Sequence, residues 1–255
     1  MAVDSALKAD LPGDASWPMM GVVVPLANEE DNIDEFLRRV LVQINSRDKV
    51  FCVVDTVSRD RTRDRVEQYA TRDPRVVLVW APENQSVVDA YFRGFREALA
   101  AGCEWILEMD GGVSHLPEEI PKFISAMQTG VDYAGGSRFL PGGSHNSRYS
   151  RYLLSRGGTL LANLLLGTRM RDMTSGFECF NRRALSYVVS RGVRSRSHFF
   201  QTEIRYMMHF WKWLEVPITY SNPSKRVGPR SVLDAVQNLW RLYQRARREK
   251  RTKRR

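Results

Sequence analysis

Three apolar runs of the chain end in polar or acidic side chains that a folded sheet could use for chemistry. The runs and their endings are Gly21–Leu26 before Asn28 and Glu29, Val50–Val54 before Asp55, and Trp105–Met109 before Asp110. Short apolar runs are typical of buried parallel strands, whose carboxyl ends meet at one edge of a sheet. Open α/β sheets bind their ligands at that edge, so we expect these side chains to share one ligand site.

The elements that position these side chains alternate between strand and helix. Four strand–helix units in roughly the first 130 residues predict an α/β fold with a mostly parallel central sheet and flanking helices. The expected strands are Gly21–Leu26, Val50–Asp55, Arg75–Trp80, Trp105–Met109 and Val131–Gly135. Asn28 is expected to cap the first helix, because an acidic first turn follows it. Val87–Ala101 is expected to form another helix, with Ala90 facing inward.

The second half of the chain supplies cationic side chains. Arg138 lies in a Gly/Ser-rich loop, and Arg148 and Arg151 begin an amphipathic helix that ends at Leu166. Arginine binds phosphate in a bidentate, permanently charged way, so these arginines favour an anionic ligand, with surface solubility as the alternative. The later elements expected are strands Gly176–Phe180 and Val216–Tyr220 and helices Asn181–Ser190, Phe199–Trp213 and Ser231–Arg248.

Positive charge is concentrated at the C-terminus. Residues 241–255 carry a net charge of +8 within the +10 of the whole chain, which leaves +2 for the first 240 residues. The apolar residues of the final helix are expected on one face: Leu233, Val236, Leu239, Trp240 and Tyr243. Such a face followed by basic residues is typical of binding to a membrane surface. The leucines of the helix that ends at Leu166 are expected to pack in the core, with contact to lipid as the alternative.

Composition bounds the remaining possibilities. The chain has three scattered cysteines without CxxC spacing, which indicates reduced thiols in a cytoplasmic protein. No apolar run reaches the roughly 20 residues that a membrane-spanning helix needs, and the body lacks a basic stripe with interleaved aromatics for nucleic acid. We expect a loose leader at residues 1–18, one domain at residues 19–230, and an amphipathic helix with a basic tail at residues 231–255.

Six segments, in order along the chain, resemble the motifs of family-2 inverting glycosyltransferases, in their dolichyl- or polyprenyl-phosphate mannosyltransferase-like branch. The segments are Val22–Glu29, Val54–Thr62, Met109–Pro117, Gly136–Phe139, Arg151–Ser155 and Asp172–Phe177. The resemblance implies the Rossmann-like GT-A fold, with a nucleotide-binding half at about residues 19–135 and an acceptor half at about residues 136–230. It also implies a peripheral enzyme, with a homo-oligomer as one arrangement, that transfers sugar from a nucleotide-diphosphate sugar to polyprenyl phosphate at the cytoplasmic membrane face.

The same resemblance implies a role for each matched side chain. The nucleotide-sugar residues would be Pro25, Asn28, Glu29, Asp55, Ala90, Asp110, Gly111, Gly112 and Lys225. The catalytic residues would be Asp110, Arg138, Arg151, Ser155 and Asp172. Asp110 would also be the carboxylate that holds Mg²⁺ or Mn²⁺ against the diphosphate, while His115 is expected to hydrogen-bond its loop. A phosphate acceptor is already ionised near neutral pH, so arginines, Lys225 and the cation would offset repulsion between two anions.

Two positions depart from the family pattern and leave alternatives open. Thr56 and Gly112 stand where the family has aspartates, and the missing carboxylate at position 112 predicts a weakly held cation. One alternative is transfer to a glycan or small-molecule hydroxyl, with Asp172 as the general base. The other is a degenerate subunit that keeps the fold without catalysis.

Overall fold

The computed structural model describes residues 17–112, 114–146, 149–221 and 229–252, and within these ranges seven strands form a central sheet. Its order is β3-β2-β1-β4-β7-β5-β8, and a second sheet pairs β6 with β9. The strands are β1 Met20–Leu26, β2 Lys49–Val54, β3 Val76–Trp80, β4 Trp105–Glu108, β5 Tyr133–Ser137, β6 Ser144–His145, β7 Glu178–Asn181, β8 Trp213–Pro217 and β9 Thr219–Tyr220.

Helices flank this sheet. They are α1 Ile33–Leu41, α2 Thr62–Arg72, α3 Val87–Ala100, α4 Ile120–Gln128, α5 Tyr149–Leu166, α6 Arg182–Arg191, α7 Phe200–Met208 and α8 Pro229–Thr252. A 3-10 turn over Pro117–Glu119 leads into α4. The expected α/β fold with a mostly parallel sheet is confirmed, although β7 runs antiparallel to both of its neighbours, β4 and β5.

Several element boundaries differ from the sequence expectation. Asn28 does not cap α1, because its backbone is left-handed at φ 59° and the helix begins only at Ile33. The helix expected to reach Trp213 ends at Met208, since Trp213 already belongs to β8. The expected late strand is divided between β8 and β9, which belong to different sheets and are separated by Ile218.

The two faces of the sheet carry separate apolar cores, because side chains alternate along each strand. On β1, Val22 and Val24 pack in one core with Phe36 of α1, whereas Val23 packs in the other with Phe95 of α3. Because both faces of the sheet are covered, the sequences of the parallel strands are continuous apolar runs. Their carboxyl ends remain at the sheet edge, where polar residues can follow.

The C-terminal helix α8 packs on the body of the protein. Leu239, Leu242 and Ala246 are buried in the same core as α3, whereas Val236 and Trp240 are exposed. The expectation of one shared apolar face is therefore wrong: Leu239 faces the core and Trp240 faces solvent.

The leucines of α5 also differ from the expectation that they pack in the core. Their exposed members are Leu153, Leu154, Leu160, Leu161 and Leu164, the last being 80% exposed. Only Leu166 among the leucines of this helix is fully buried. The spacing of apolar residues identifies one face of a helix, but it does not show whether that face contacts protein or another environment.

Arg205 of α7 is fully buried and joins three segments of the second half. Its Nε donates to Glu178 Oε1 at 2.7 Å and to the carbonyl of Ser175 at 3.2 Å. Its Nη2 donates to the carbonyl of Gly136 at 2.9 Å, and its Nη1 donates to that of Asp172. One guanidinium group therefore fixes the end of β5, the turn before β7, and β7 itself.

Replacing Arg205 by methionine should remove this connection and leave the Glu178 carboxylate buried without its cation. Breaking a buried ion pair from one side costs about 3–5 kcal/mol, so the urea midpoint of Arg205→Met should fall strongly. Arg38→Met is the matched control, because Arg38 pairs with Glu35 at a position where 57% of its side chain is exposed. The control should lose less than about 1 kcal/mol. Equal midpoints for the two variants would contradict the role given to Arg205.

Candidate active site

The register of the sheet brings the expected carboxylates to one edge. Val54 pairs with Leu26, so Asp55 follows β2 beside the end of β1. The Met109 amide donates to the Val23 carbonyl at 3.2 Å, so Asp110 follows β4 on the other side of β1. The sequence placed both acids at this edge, and the structure agrees.

Asp110 is held by two aromatic residues. Tyr91 of α3 donates its hydroxyl to Asp110 Oδ1 at 2.7 Å. The Asp110 amide donates to Nδ1 of His115 at 2.9 Å, which closes the loop after β4 and assigns the imidazole proton to Nε2. Burial lowers the pKa of His115, so the ring stays neutral and can accept this bond. The Asp110 side chain remains 43% exposed and available to a ligand.

The Glu29 carboxylate lies against Gly112, two residues after Asp110. Gly112 has φ +88°, and a Cβ atom built on it would lie 2.9 Å from Oε2 of Glu29. The Glu29 carboxylate therefore occupies the space into which a side chain at position 112 would extend. Asn32 donates to the same Oε2 at 3.0 Å and helps to orient the carboxylate.

The donor set around Asp110 fits a magnesium-type cation. Within the described ranges, no three His, Cys, Asp or Glu side chains group together as a metal cage. Mg²⁺ does not need such a cage, since one or two carboxylates with substrate phosphates and water suffice. Asp110 and Glu29 are carboxylates of this kind.

Three other expected nucleotide-sugar residues, Pro25, Asn28 and Gly111, lie in or next to the strand ends and shape the loops there. Pro25 is half-buried in β1, and Asn28 joins two loops by accepting from the Arg59 amide at 3.0 Å and donating to the Val57 carbonyl at 3.3 Å. Gly111 has no room for a side chain, because a Cβ there would lie 2.4 Å from Leu26 Cδ2.

One further expected nucleotide-sugar residue, Ala90, does not reach this edge. Ala90 of α3 is only 3% exposed and packs in the core, so the expected contact between Ala90 and the nucleotide is wrong. Lys225 lies outside the described residues.

Arg138 and Asp172 form a buried bidentate ion pair. Arg138 Nε lies 2.7 Å from Asp172 Oδ2, and its Nη2 lies 2.9 Å from Oδ1. Burial alone would raise the pKa of Asp172, but the Arg138 guanidinium outweighs it and holds that pKa well below the usual range. Nη2 of Arg138 also donates to Thr174 Oγ1. Asp172 is therefore a partner that orients Arg138, and it is poorly suited to accept a proton.

Arg151 lies on α5 beside the same site. Its Nη2 donates to the hydroxyl of Tyr220 at 3.1 Å, and its guanidinium carbon lies 5.5 Å from the centre of that ring. The guanidinium carbon of Arg138 lies 5.4 Å from the same ring. Ser155 follows Arg151 by four residues on the helix and is half-buried, so both face one side of α5.

Tyr220 and His115 connect the two halves of the site. The residues form an isolated backbone bridge, and their rings lie 5.9 Å apart at the centres. His115 binds the Asp110 amide, while Tyr220 contacts Arg138 and Arg151. The structure thus brings Asp110 and both arginines together around two aromatic rings. Sequence reasoning missed Tyr91, Tyr220 and Arg205, because a pairing across distant segments leaves no local motif.

A comparison with protein families finds that residues 21–188 match the model for glycosyl transferase family 2. The polyprenol monophosphomannose synthase of Mycolicibacterium smegmatis is 31% identical over 207 residues, which cover 78% of this chain and 76% of that protein. The undecaprenyl-phosphate mannosyltransferase of Micrococcus luteus is 30% identical over 78% of this chain and 82% of its own length.

Solved structures give the same picture of the fold. The crystal structure of glucosyl-3-phosphoglycerate synthase from Mycobacterium tuberculosis in complex with Mn²⁺, uridine diphosphate and phosphoglyceric acid superposes with a TM-score of 0.64. It covers 89% of this chain and 79% of the other, at 15% identity. At that identity the likeness concerns the fold alone.

The contact between His115 and the Asp110 amide can be tested by replacing the imidazole with a phenyl ring. His115→Phe keeps an aromatic ring against Phe177, on which His115 stacks at 4.8 Å, but leaves the part-buried Asp110 amide without its acceptor. An unsatisfied buried donor costs about 1–3 kcal/mol, so the melting temperature should fall by several degrees. His198→Phe, at an exposed histidine, is the control and should melt like the parent. Identical melting of all three proteins would contradict the assignment.

Proposed function

The chain belongs to glycosyl transferase family 2, and on that premise we propose that this glycosyltransferase of GT-A fold transfers a sugar from a nucleoside-diphosphate donor to a polyprenyl phosphate. The curated relatives named as polyprenyl-phosphate mannosyltransferases support this acceptor. The observation that carries the proposal is the juxtaposition of the Asp110 carboxylate with the Arg138 and Arg151 guanidinium groups across Tyr220 and His115. Such an edge can hold two phosphorylated substrates side by side.

The donor would bind at the carboxyl ends of β1, β2 and β4. Asp55 is positioned to accept hydrogen bonds from the nucleotide base, although its Oδ1 already accepts the Val57 amide at 2.9 Å. Asp110, with Glu29 next to Gly112, would hold a divalent cation whose positive charge stabilises the leaving diphosphate. Tyr91 and His115 would keep the Asp110 carboxylate oriented for that task.

The acceptor phosphate would bind on the arginine side. A phosphomonoester carries a charge of about −1.5 to −2 near neutral pH, so it can attack the anomeric carbon without a general base. The electrostatic task is to bring this anion close to the anionic diphosphate. Arg151 and Arg138 would supply the opposing charge, and Ser155 would donate a hydroxyl from the same side of α5.

Transfer to a neutral hydroxyl is a weaker candidate because it needs a base. Asp172, the acid expected in that role, is fully buried and bound by Arg138 through both oxygens. The lowered pKa of Asp172 makes it a poor proton acceptor. The arginine-rich side of the site therefore favours an acceptor that arrives already ionised.

Contact with a membrane surface would bring a polyprenyl acceptor to this site. No helix within the described residues is long and apolar enough to cross a bilayer. Helices α5 and α8 pack against each other and expose apolar side chains, among them Leu160, Leu164 and Trp240. Exposed arginines of α8, such as Arg241 and Arg247, would add attraction to anionic headgroups at the cytoplasmic face.

Incubating the purified protein with nucleotide sugars, polyprenyl phosphate and Mg²⁺ or Mn²⁺ tests the proposed function. Sugar-linked polyprenyl phosphate is the expected product. Arg151→Gln should raise the acceptor KM about tenfold to a hundredfold, since hydrogen bonds to a charged group contribute about 1.5–3 kcal/mol. Arg72→Gln, at an exposed arginine in the last turn of α2, should leave that KM unchanged. Absence of product with any donor and either metal would overturn the proposal.

Membrane contact can be tested by charge insertion rather than truncation, because α8 also buries core residues. Leu164→Glu and Trp240→Glu place carboxylates on exposed positions of α5 and α8 and should reduce co-sedimentation with anionic vesicles severalfold. Val42→Glu, at an exposed valine after α1, is the control and should sediment like the parent. Unchanged vesicle binding of both test variants would exclude this surface from membrane contact.

A further inference from the structure

Aromatic rings surround His145 of β6. The ring of Phe139 is stacked on the imidazole at 6.4 Å and 13°, and those of Tyr152 and Tyr220 meet it at 5.9 and 5.8 Å. The pairing of β6 with β9 sets His145 opposite Tyr220 and fixes its backbone. The Asn146 amide continues this pairing by donating to the Tyr220 carbonyl at 3.0 Å. The imidazole therefore has a defined place in the fold.

His145 shares these rings with the cations of the acceptor side. Arg138 and Arg151 both lie over Tyr220, at 5.4 and 5.5 Å from its centre. Arg138 also lies 5.4 Å from the centre of Phe139. Three nitrogen-bearing side chains thus converge around one aromatic cluster, which is an arrangement suited to an anion with several oxygens.

The charged and titratable groups that face His145 come from four segments. Arg138 lies just after the end of β5, Arg151 lies on α5, Tyr220 lies on β9, and Asp172 lies in the loop before β7. Burial is the largest cause that lowers the pKa of His145, and Arg138 and Arg151 lower it further, whereas a hydrogen bond to its own backbone and the Asp172 carboxylate raise it. From α5, Arg156 adds a cation 5.0 Å from the centre of the Phe139 ring.

We propose that His145 is a third acceptor-phosphate ligand beside Arg138 and Arg151, and that it takes up a proton when the phosphate binds. This inference rests on the proposed function and deepens it. In the free protein, burial and the neighbouring cations together disfavour the charged imidazolium. A bound phosphate dianion reverses the sign of the local field and favours the imidazolium, whose second N–H can then donate to a phosphate oxygen. The proton comes from solvent, and no covalent bond of the substrate changes in this step.

The direction of the pH dependence follows from these two states. The His145 pKa is lowered in the free protein and raised in the phosphate complex, so binding consumes a proton between the two values. The gain in affinity is complete below the free-state pKa and is lost as the pH rises through the bound-state pKa. The acceptor's own second ionisation, near pH 6, acts in the opposite direction, so a matched variant must separate the two effects.

The experiment measures the acceptor KM of the full chain from pH 6.0 to 8.5, using citronellyl phosphate as a short, water-soluble isoprenyl phosphate. His145→Phe keeps the stacking on Phe139 but has no titrating nitrogen. His145→Gln keeps a hydrogen-bond donor but also has no titrating nitrogen. The ratio of variant KM to parent KM cancels the titration of the acceptor itself. This ratio should be at least about threefold larger at pH 6.0 than at pH 8.5 for both variants, with smaller changes in kcat.

A control variant and the parent protein distinguish the possible failures. His198→Phe removes an exposed imidazole and should give a ratio of one at every pH. Parallel KM profiles for the parent and both His145 variants would overturn the inference while leaving the proposed function intact. A parent protein that transfers no sugar to any isoprenyl phosphate would overturn the proposed function itself.

Discussion

The buried guanidinium of Arg205 is the contact on which the second half of the site depends. It binds the carbonyls of Gly136 and Asp172 and the carboxylate of Glu178. It therefore fixes the backbone just before Arg138 and the backbone of Asp172, the ion-pair partner of Arg138. This contact joins the end of β5 to the turn before β7, in addition to the Gly136–Phe177 backbone hydrogen bond and the Arg138–Asp172 ion pair. Without it, Arg138 could keep its ion pair with Asp172 and still lose its position relative to Asp110.

Charge balance in this interior decides which cations can meet a substrate. Asp172 offsets Arg138, and Glu178 offsets Arg205, whose side chain is fully buried. Burial raises the pKa of Glu178 to about 7, and burial next to Glu178 raises the pKa of Glu108 well above its usual value. With Glu108 protonated, ionised Asp172 and Glu178 balance the charges of Arg138 and Arg205. In the proposed function, charge for a phosphate would therefore come chiefly from Arg151, which is less buried than Arg138.

The sequence predicted the donor side better than the acceptor side for a physical reason. A buried parallel strand has a continuous apolar signature, so Asp55 and Asp110 could be assigned to one edge from strand endings alone. The antiparallel insertion of β7 and the contacts of Arg205 depend on pairing between distant segments, which leaves no local period. The leucines of α5 have the helical spacing expected of a core, yet Leu164 is exposed, because spacing identifies a face and not its partner.

The departure at position 112 is best understood together with Glu29. The left-handed backbone at φ +88° favours glycine at 112, and a side chain there would displace the Glu29 carboxylate from its place. An acid delivered from the loop after β4 and an acid delivered from the end of β1 would thus compete for one space. Glycine at 112 resolves the competition in favour of Glu29, which Asn32 orients. The edge therefore has a second carboxylate, supplied after β1 and lying against Gly112, two residues along the chain from Asp110.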